Sequence, residues 1–428
     1  MMFIRLLAGL ALLASAGEAA AQTTPAQADA AIKRITLSAE FKKAAATLDA
    51  QHEQWVKNTI AITEIPAPPF KEEARAKAFL AMFRERGLSE TEIDEEGNVL
   101  GLRKGTKGGD LVVVSAHLDT VFPEGTNVKV RREGDKLYAP GVGDDSAGLA
   151  TLLAWIDAMN AGGIRTRSDI LFVGTVGEEG LGDARGVRHL FTKGKYKGRV
   201  RAFFTVDGGG LDSITTGGTG SKRYRLTFKG PGGHSYNAFG LVNPAAALSG
   251  AIAEFYRLQV PKTPKTTYNV GIIGGGTSIN TIPQEVQAEI DMRSESPKEL
   301  ATLEQSFLGI VARATATENA ARSTEAGSIS AEVRLVGERP AGQTPESSDI
   351  VRLATAAYRE DGTSLKYRTS SSDANLPISL GIPAVNVSKA ATGGRGHSPD
   401  EWIGIERADN VRLKRILLAA IVAVAGMD

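Results

Sequence analysis

Leu111-Val112-Val113-Val114-Ser115-Ala116-His117-Leu118-Asp119 is the stretch whose reading decides the fold. Its four consecutive apolar residues suit a strand covered on both faces, the habit of a parallel sheet lying between helices. The same kind of run returns at Ile170-Leu171-Phe172-Val173 and, shorter, at Ala202-Phe203-Phe204. Between the first two, Leu149, Leu152, Leu153 and Ile156 recur at helical spacing, so the segment from about Ser146 to Met159 reads as helix. Strands alternating with helices as far as Thr216 make this an α/β chain with a mainly parallel sheet. Upstream, a linker-like stretch from Thr23 to Ala31 precedes a helix expected from about Ala39 to Ile62. Ile65-Pro66-Ala67-Pro68-Pro69 breaks that helix, and a second runs from about Lys71 to Arg86.

Downstream the pattern changes. Tyr224, Leu226 and Phe228 alternate with Arg225 and Thr227, as in a half-exposed strand. Asn243 followed by Pro244 opens a helix. Strands follow near Tyr268–Ile273 and Glu285–Arg293, then a helix near Pro297–Thr317 and a strand near Ala331–Leu335. Strand-helix-strand-strand-helix-strand is the order of a ferredoxin-like unit. Beyond Pro340 the α/β pattern resumes, with a helix near Ser348–Arg359 and a strand at Ala384–Val387. The expected organisation is a catalytic α/β domain in two parts, 32–217 and 339–428, interrupted by an inserted lid or dimerisation domain, 218–338.

Fifty basic residues against forty-nine acidic ones in 428 leave a formal charge of +1, which provides no field for nucleic acid. At the N-terminus, Arg5, the apolar run Leu6 to Ala16 and Ala19-Ala20-Ala21 read as a signal peptide over residues 1–21. Eleven apolar residues are too few to span a bilayer, which takes about twenty. The expectation is export to the periplasm or medium, with no membrane association after cleavage. The chain has no cysteine, so any metal must be held by histidine and carboxylate.

Five clusters carry such groups: His117-Leu118-Asp119, Gly143-Asp144-Asp145, Gly177-Glu178-Glu179-Gly180, Val206-Asp207-Gly208-Gly209 and Gly393-Gly394-Arg395-Gly396-His397-Ser398. Each has an ordinary explanation alone: a strand-end histidine, a helix cap, a solvated turn. Together they fall just after strands or in Gly-rich loops, where open α/β sheets build their sites. Imidazole plus carboxylate suits zinc or another first-row divalent ion.

In order and context, His117 to Val121, Asp144-Asp145, Glu178-Glu179-Gly180, Asp207 and His397-Ser398-Pro399-Asp400-Glu401 resemble the di-zinc metallopeptidases of the aminoacylase and carboxypeptidase group, metallopeptidase family twenty. The similarity covers nearly all of the chain after residue 21. Ile65-Pro66-Ala67-Pro68-Pro69 and Ser372-Asp373-Ala374-Asn375 look closest to its tripeptidase-like branch, and Gly233-His234-Ser235 and Asn280-Thr281-Ile282-Pro283 resemble its lid. Ser146 departs from the pattern, standing where many relatives carry lysine.

The resemblance implies that Asp144 bridges two zinc ions, with His117 and Asp207 completing one and Glu179 and His397 the other; cobalt or manganese could substitute. It implies a cis Asp144–Asp145 peptide, Asp119 as the carboxylate orienting the His117 imidazole, and Glu178 as a general base free of metal. His234, reaching across a homodimer, would stabilise the oxyanion, while Asn280 and Arg293 would bind substrate, the arginine at its carboxylate. His52 and His189 match no motif and read as structural or exposed. The expected activity is exopeptidase cleavage of di- or tripeptides. N-acyl-amino-acid deacylation by the same machinery is the runner-up, and an exported two-domain solute-binding protein is the alternative from another class.

Overall fold

The computed structural model describes residues 23–428, so the expected signal peptide lies outside the described residues. The main sheet has nine strands. Its path runs Ser89–Ile93, Val99–Arg103, Asp169–Thr175, Leu111–His117, Val200–Gly209, Ala384–Ala390, Ser213–Gly218 and Gly342–Gln343, with Lys366–Ser370 also paired to Ser213–Gly218. Leu111–His117 is parallel to both of its neighbours, and Ala384–Ala390 is parallel to Val200–Gly209. Every residue of Leu111–His117 and of Asp169–Thr175 is buried, as the apolar runs require. Helices Gly148–Gly162 and Arg407–Ala425 supply much of the covering core through Leu152, Leu153, Ile156, Leu417 and Ile421.

Two helical expectations change. Pro25–Leu37 is a helix, not a linker: Thr24 accepts from the Gln27 amide while the Gln27 side chain bonds back to the Thr24 amide. The polar residues there form a capping box, and Ala28, Ile32 and Ile35 bury one stripe. The segment expected as one helix is two, Ala39–Ala50 and His52–Thr63, broken at Gln51 with φ −99° and ψ 16°. Neither proline nor glycine marks that break. His52 is buried, its Nε2 at 2.9 Å from the Ile405 carbonyl, and the ring stacks at a tilt near Trp55.

A second, antiparallel sheet orders Thr266–Gly275, Glu285–Ser294, Gly220–Lys229 and Ser330–Arg339. Along Glu285–Ser294, Val286, Ala288, Ile290 and Met292 face helices Pro244–Phe255 and Pro297–Ala321 in a core of their own. Asn243 and Ser296 cap those helices. Among the described residues no helix is long and apolar enough to cross a membrane. His117, Asp207 and Lys389 sit at or near the carboxyl ends of their parallel strands, and Glu178 and Glu179 follow a fourth, so the main sheet delivers all of them to one edge.

Candidate metal centre

The Asp144 loop is shaped by a distant glutamate. Glu401 accepts from the amides of Gly141 at 3.0 Å, Gly143 at 2.8 Å and Asp144 at 2.7 Å. Burial, together with the Asp144 charge, pushes its carboxyl up to about 7. Behind the loop, helix Gly148–Gly162 begins hard against strand Val200–Gly209. A Cβ on Gly148 would lie 2.2 Å from Asp145 Oδ1 and 2.3 Å from the Val206 carbonyl oxygen. The Asp144–Asp145 peptide is cis.

Asp144 lies between two histidines, each facing a different carboxylate oxygen. His117 Nε2 is 3.1 Å from Asp144 Oδ1 and 3.9 Å from Asp207 Oδ1. His397 Nε2 is 3.1 Å from Asp144 Oδ2 and 2.8 Å from Glu179 Oε1. Ligand atoms of His117, Asp144 and Glu179 fall within 4.8 Å of one another, as do those of His117, Asp145 and Asp207. The structure therefore brings together His117, Asp144, Glu179, Asp207 and His397, and adds Asp145. The Asp145 Oδ2 atom accepts the His117 amide at 3.1 Å, whereas its buried Oδ1 has no hydrogen-bond partner among the described residues.

The donor set fits divalent cations. Burial pushes the Asp145 carboxyl well above the usual carboxylate range. Burial also opposes a charge on His117, but the Asp119 and Asp144 carboxylates outweigh it and hold that pKa well above its usual value. Asp144 and then Glu179 push His397 to about 10. So many carboxylates around two imidazoles, with one orphaned oxygen, are the electrostatics of a place that takes up positive charge.

Asp119 and Glu178 have partners that the sequence did not disclose. The Asp119 carboxylate accepts from the amides of Glu178 at 3.0 Å and Glu179 at 2.8 Å, fixing that turn. His117 Nδ1 meets the Asp119 backbone carbonyl at 3.0 Å, while the carboxylate stands at 3.7 Å. Asp119 thus reaches the imidazole first through its main chain, because its carboxylate is engaged by two amides. Glu178, expected as a general base free of metal, is paired with an arginine: Arg339 Nη1 donates to its Oε1 at 2.7 Å, and Arg339 Nη2 donates to its backbone carbonyl. Burial raises the Glu178 carboxyl well above its ordinary value, Arg339 pulls it down and Glu179 adds to the rise.

Lys389 Nζ donates to Asp144 Oδ1 at 3.1 Å and Asp207 Oδ1 at 2.8 Å. Lys389, Arg339 and the anchoring role of Glu401 were not anticipated from the sequence. A signal existed for Lys389, a polar residue near the carboxyl end of an apolar strand, where His117 and Asp207 stand on theirs. Arg339 gave none, since it reaches the centre from the inserted sheet. Asp373 lies buried, accepting from Thr175 Oγ1 at 2.6 Å.

Of the remaining expected residues, His234 and Asn280 are neighbours: Gly233–His234 pairs with Thr281–Ile282, and the Ser235 amide donates to the Asn280 carbonyl at 2.9 Å. Both are exposed. Arg293 Nε donates to Asp291 Oδ2 at 2.7 Å; Arg223 Nε donates to Asp291 Oδ1 at 3.2 Å and Arg223 Nη1 to the Gly180 carbonyl at 2.9 Å. Among the described residues, none of His234, Asn280 and Arg293 shares a hydrogen bond or ion pair with the metal-ligand cluster. A cavity of about 650 Å³ opens beside Asp144 and Asp207, lined also by Gly208, Arg368, Lys389 and Trp402.

Residues 113–421 match the sequence pattern of Peptidase family M20/M25/M40. An uncharacterized Bacillus subtilis protein, YqjE, is 27% identical over 303 residues, covering 68% of this chain and 76% of that protein. Among solved structures, aminopeptidase PepT from Bacillus cereus superposes with a TM-score of 0.70 at 22% identity, covering 87% of this chain and 99% of that one. The Bacillus subtilis YXEP protein, a dinuclear metal binding peptidase from the M20 family, superposes with a TM-score of 0.65 at 17% identity, covering 88% and 98% respectively.

Proposed function

The chain belongs to peptidase family M20/M25/M40, and on that footing we propose that it is an exported di-zinc exopeptidase acting on di- and tripeptides. Family membership makes it a metallopeptidase and sets aside the solute-binding alternative. The observation that carries the two-ion reading is Asp144, whose Oδ1 faces His117 and whose Oδ2 faces His397 beside Glu179. His117, Asp144 and Asp207 would hold one ion, and Asp144, Glu179 and His397 the other. Bound there, the ions supply the Lewis acidity that makes water a nucleophile near neutral pH and polarises an amide carbonyl.

The chain's own residues do the rest. Glu178 has Oε1 engaged by Arg339, so Oε2 is the atom that takes the proton from water and returns it to the departing amine. Arg339 keeps that carboxylate aimed by gripping both its side chain and its backbone carbonyl. His234 is proposed as an oxyanion donor from a second copy of the chain, which its exposure permits. The apolar side chains of Tyr236, Phe239 and Ile279 near it, and of Ile272 and Ile273 on the edge strand Thr266–Gly275, are exposed, as a docking face between copies would be in one protomer. Asn280 and Arg293 remain the proposed substrate contacts.

The test is a screen of purified protein against dipeptides, tripeptides and N-acyl amino acids, read by amine release, with metal analysis of the same sample. Hydrolysis of short peptides with two zinc ions per chain, lost on chelation and restored by zinc, is the expected result. Cleavage of N-acyl amino acids alone would replace the peptidase assignment with a deacylase. For export, the N-terminus of the secreted protein should begin at Gln22; an intact Met1 in all active material would defeat that part.

A further inference from the structure

The two halves of the centre are not equivalent. Asp144 Oδ2 and Glu179 Oε1 meet His397 Nε2 at 3.1 and 2.8 Å and, among the described residues, receive neither lysine nor arginine. Asp144 Oδ1 and Asp207 Oδ1, the oxygens facing His117, both already receive Lys389 Nζ, at 3.1 and 2.8 Å. The same ammonium stands 3.9 Å from Asp145 Oδ1. Lys389 reaches this position from strand Ala384–Ala390 with only 14% of its side chain exposed. A divalent ion drawn to those two oxygens would share both with a positive charge already in contact with them. That repulsion weakens binding of the ion at contact distance, whereas on the His397 side, among the described residues, no lysine or arginine meets the ligand oxygens. Lys389 also lines the 650 Å³ cavity, which gives the side chain somewhere to go.

We propose that Lys389 is a resident cation of the centre, competing with metal for Asp144 and Asp207. The two ions then load unequally: one tightly on the Asp144, Glu179 and His397 side, the other weakly, as Lys389 swings into the cavity. With the weaker ion gone, the ammonium stands in for it and holds the two carboxylates together. This inference rests on the two-ion reading above.

The experiment titrates the metal-free full chain with zinc under a competing chelator, counting ions bound at each free zinc concentration. The wild type should fill in two steps, the second weaker by about tenfold or more. Lys389→Met, of similar length and uncharged, should tighten the second step by a similar factor and leave the first unchanged, while Lys389→Arg should keep the gap. Two equally tight steps in the wild type, or a second step that Lys389→Met leaves unmoved, would overturn the proposal while leaving the two-ion reading standing. Uptake of a single ion by both wild type and Lys389→Met would bring down the two-ion reading as well. Should Lys389→Met fail to fold without metal, thermal unfolding supplies the second measurement. Zinc beyond one equivalent should raise the melting temperature of Lys389→Arg no more than that of the wild type, and a clearly larger rise would count against the proposal.

Discussion

Glu178 and Glu179 are adjacent, yet the fold sends one carboxylate to Arg339 and the other to His397. Substituting them should separate catalysis from metal binding. Glu178→Gln should retain its metal while turnover falls by about 10²–10⁴-fold, the usual contribution of a positioned acid–base group. Glu179→Gln should lose metal first, and equal metal loss in the two variants would show the roles to be misassigned. A second residue-scale prediction concerns Lys414, buried with its ammonium 3.4 Å from the Trp55 ring centroid. Burial pushes its pKa well below 10.5. Between the folded pKa and 10.5 the unfolded chain holds the extra proton, so this group makes stability rise with pH across that window. Lys414→Met should therefore flatten the slope in denaturant titrations and stabilise the protein near neutral pH by about 1–2 kcal/mol, net of the lost ring contact. A variant less stable than the wild type near neutral pH would contradict that account. At this scale the clustered histidines and carboxylates, His117, Asp144, Glu179, Asp207 and His397, were legible in sequence because each lies within a short local motif. Arg339 was not, and for Lys389 only its place near a strand end was, because the partners of both are distant in the chain.

Among the elements, the turn Val142–Ala147 carries Asp144, the aspartate between His117 and His397, and is held from two directions. Glu401 ties two of its amides, and that of Gly141 just before it, from the front, and Gly148 lets helix Gly148–Gly162 start against Asp145 and Val206 behind. Glu401→Ala should leave far-ultraviolet circular dichroism unchanged and weaken metal binding by about 10–100-fold, the scale of losing an outer support of a ligand. Unaltered metal affinity would show that the loop holds its shape without those bonds. The strands were readable from their unbroken apolar runs and the helices from their stripes. Pro25–Leu37 was missed because its cap looks like a polar linker, and the break at Gln51 because no glycine or proline signals it.

Across the whole molecule, the inserted sheet touches the catalytic part through a few polar bridges. Arg223 donates to the Gly180 carbonyl, Arg188 to the Glu338 carbonyl and the Glu338 amide to Asp183, while Arg339 enters the centre itself. His234 lies on that same inserted unit, exposed and without contact to the metal ligands among the described residues. His234→Ala should therefore keep its metals and lose about 10²–10³-fold in turnover, as removal of an oxyanion donor does. If the donor comes from a second copy, mixing His234→Ala with Glu178→Gln under subunit exchange should restore part of the activity, because one site per heterodimer is intact. Heterodimers demonstrated by mass yet devoid of activity would confine His234 to its own chain or to no catalytic role.

The sequence by itself determined the α/β class, the alternating strands of the inserted unit and the residues able to ligate metal. Each of these is written within a window of a few residues, by period or by motif. Only the tertiary structure decided which charges face those ligands: Arg339 against Glu178, Lys389 between Asp144 and Asp207, Glu401 under the Asp144 loop. These pairings join positions 161, 245, 182 and 257 residues apart, so no local pattern encodes them. They arise where the ends of the parallel strands, the inserted sheet and the loop carrying Glu401 meet at one edge of the main sheet, among buried carboxylates whose charge is costly to leave unpaired.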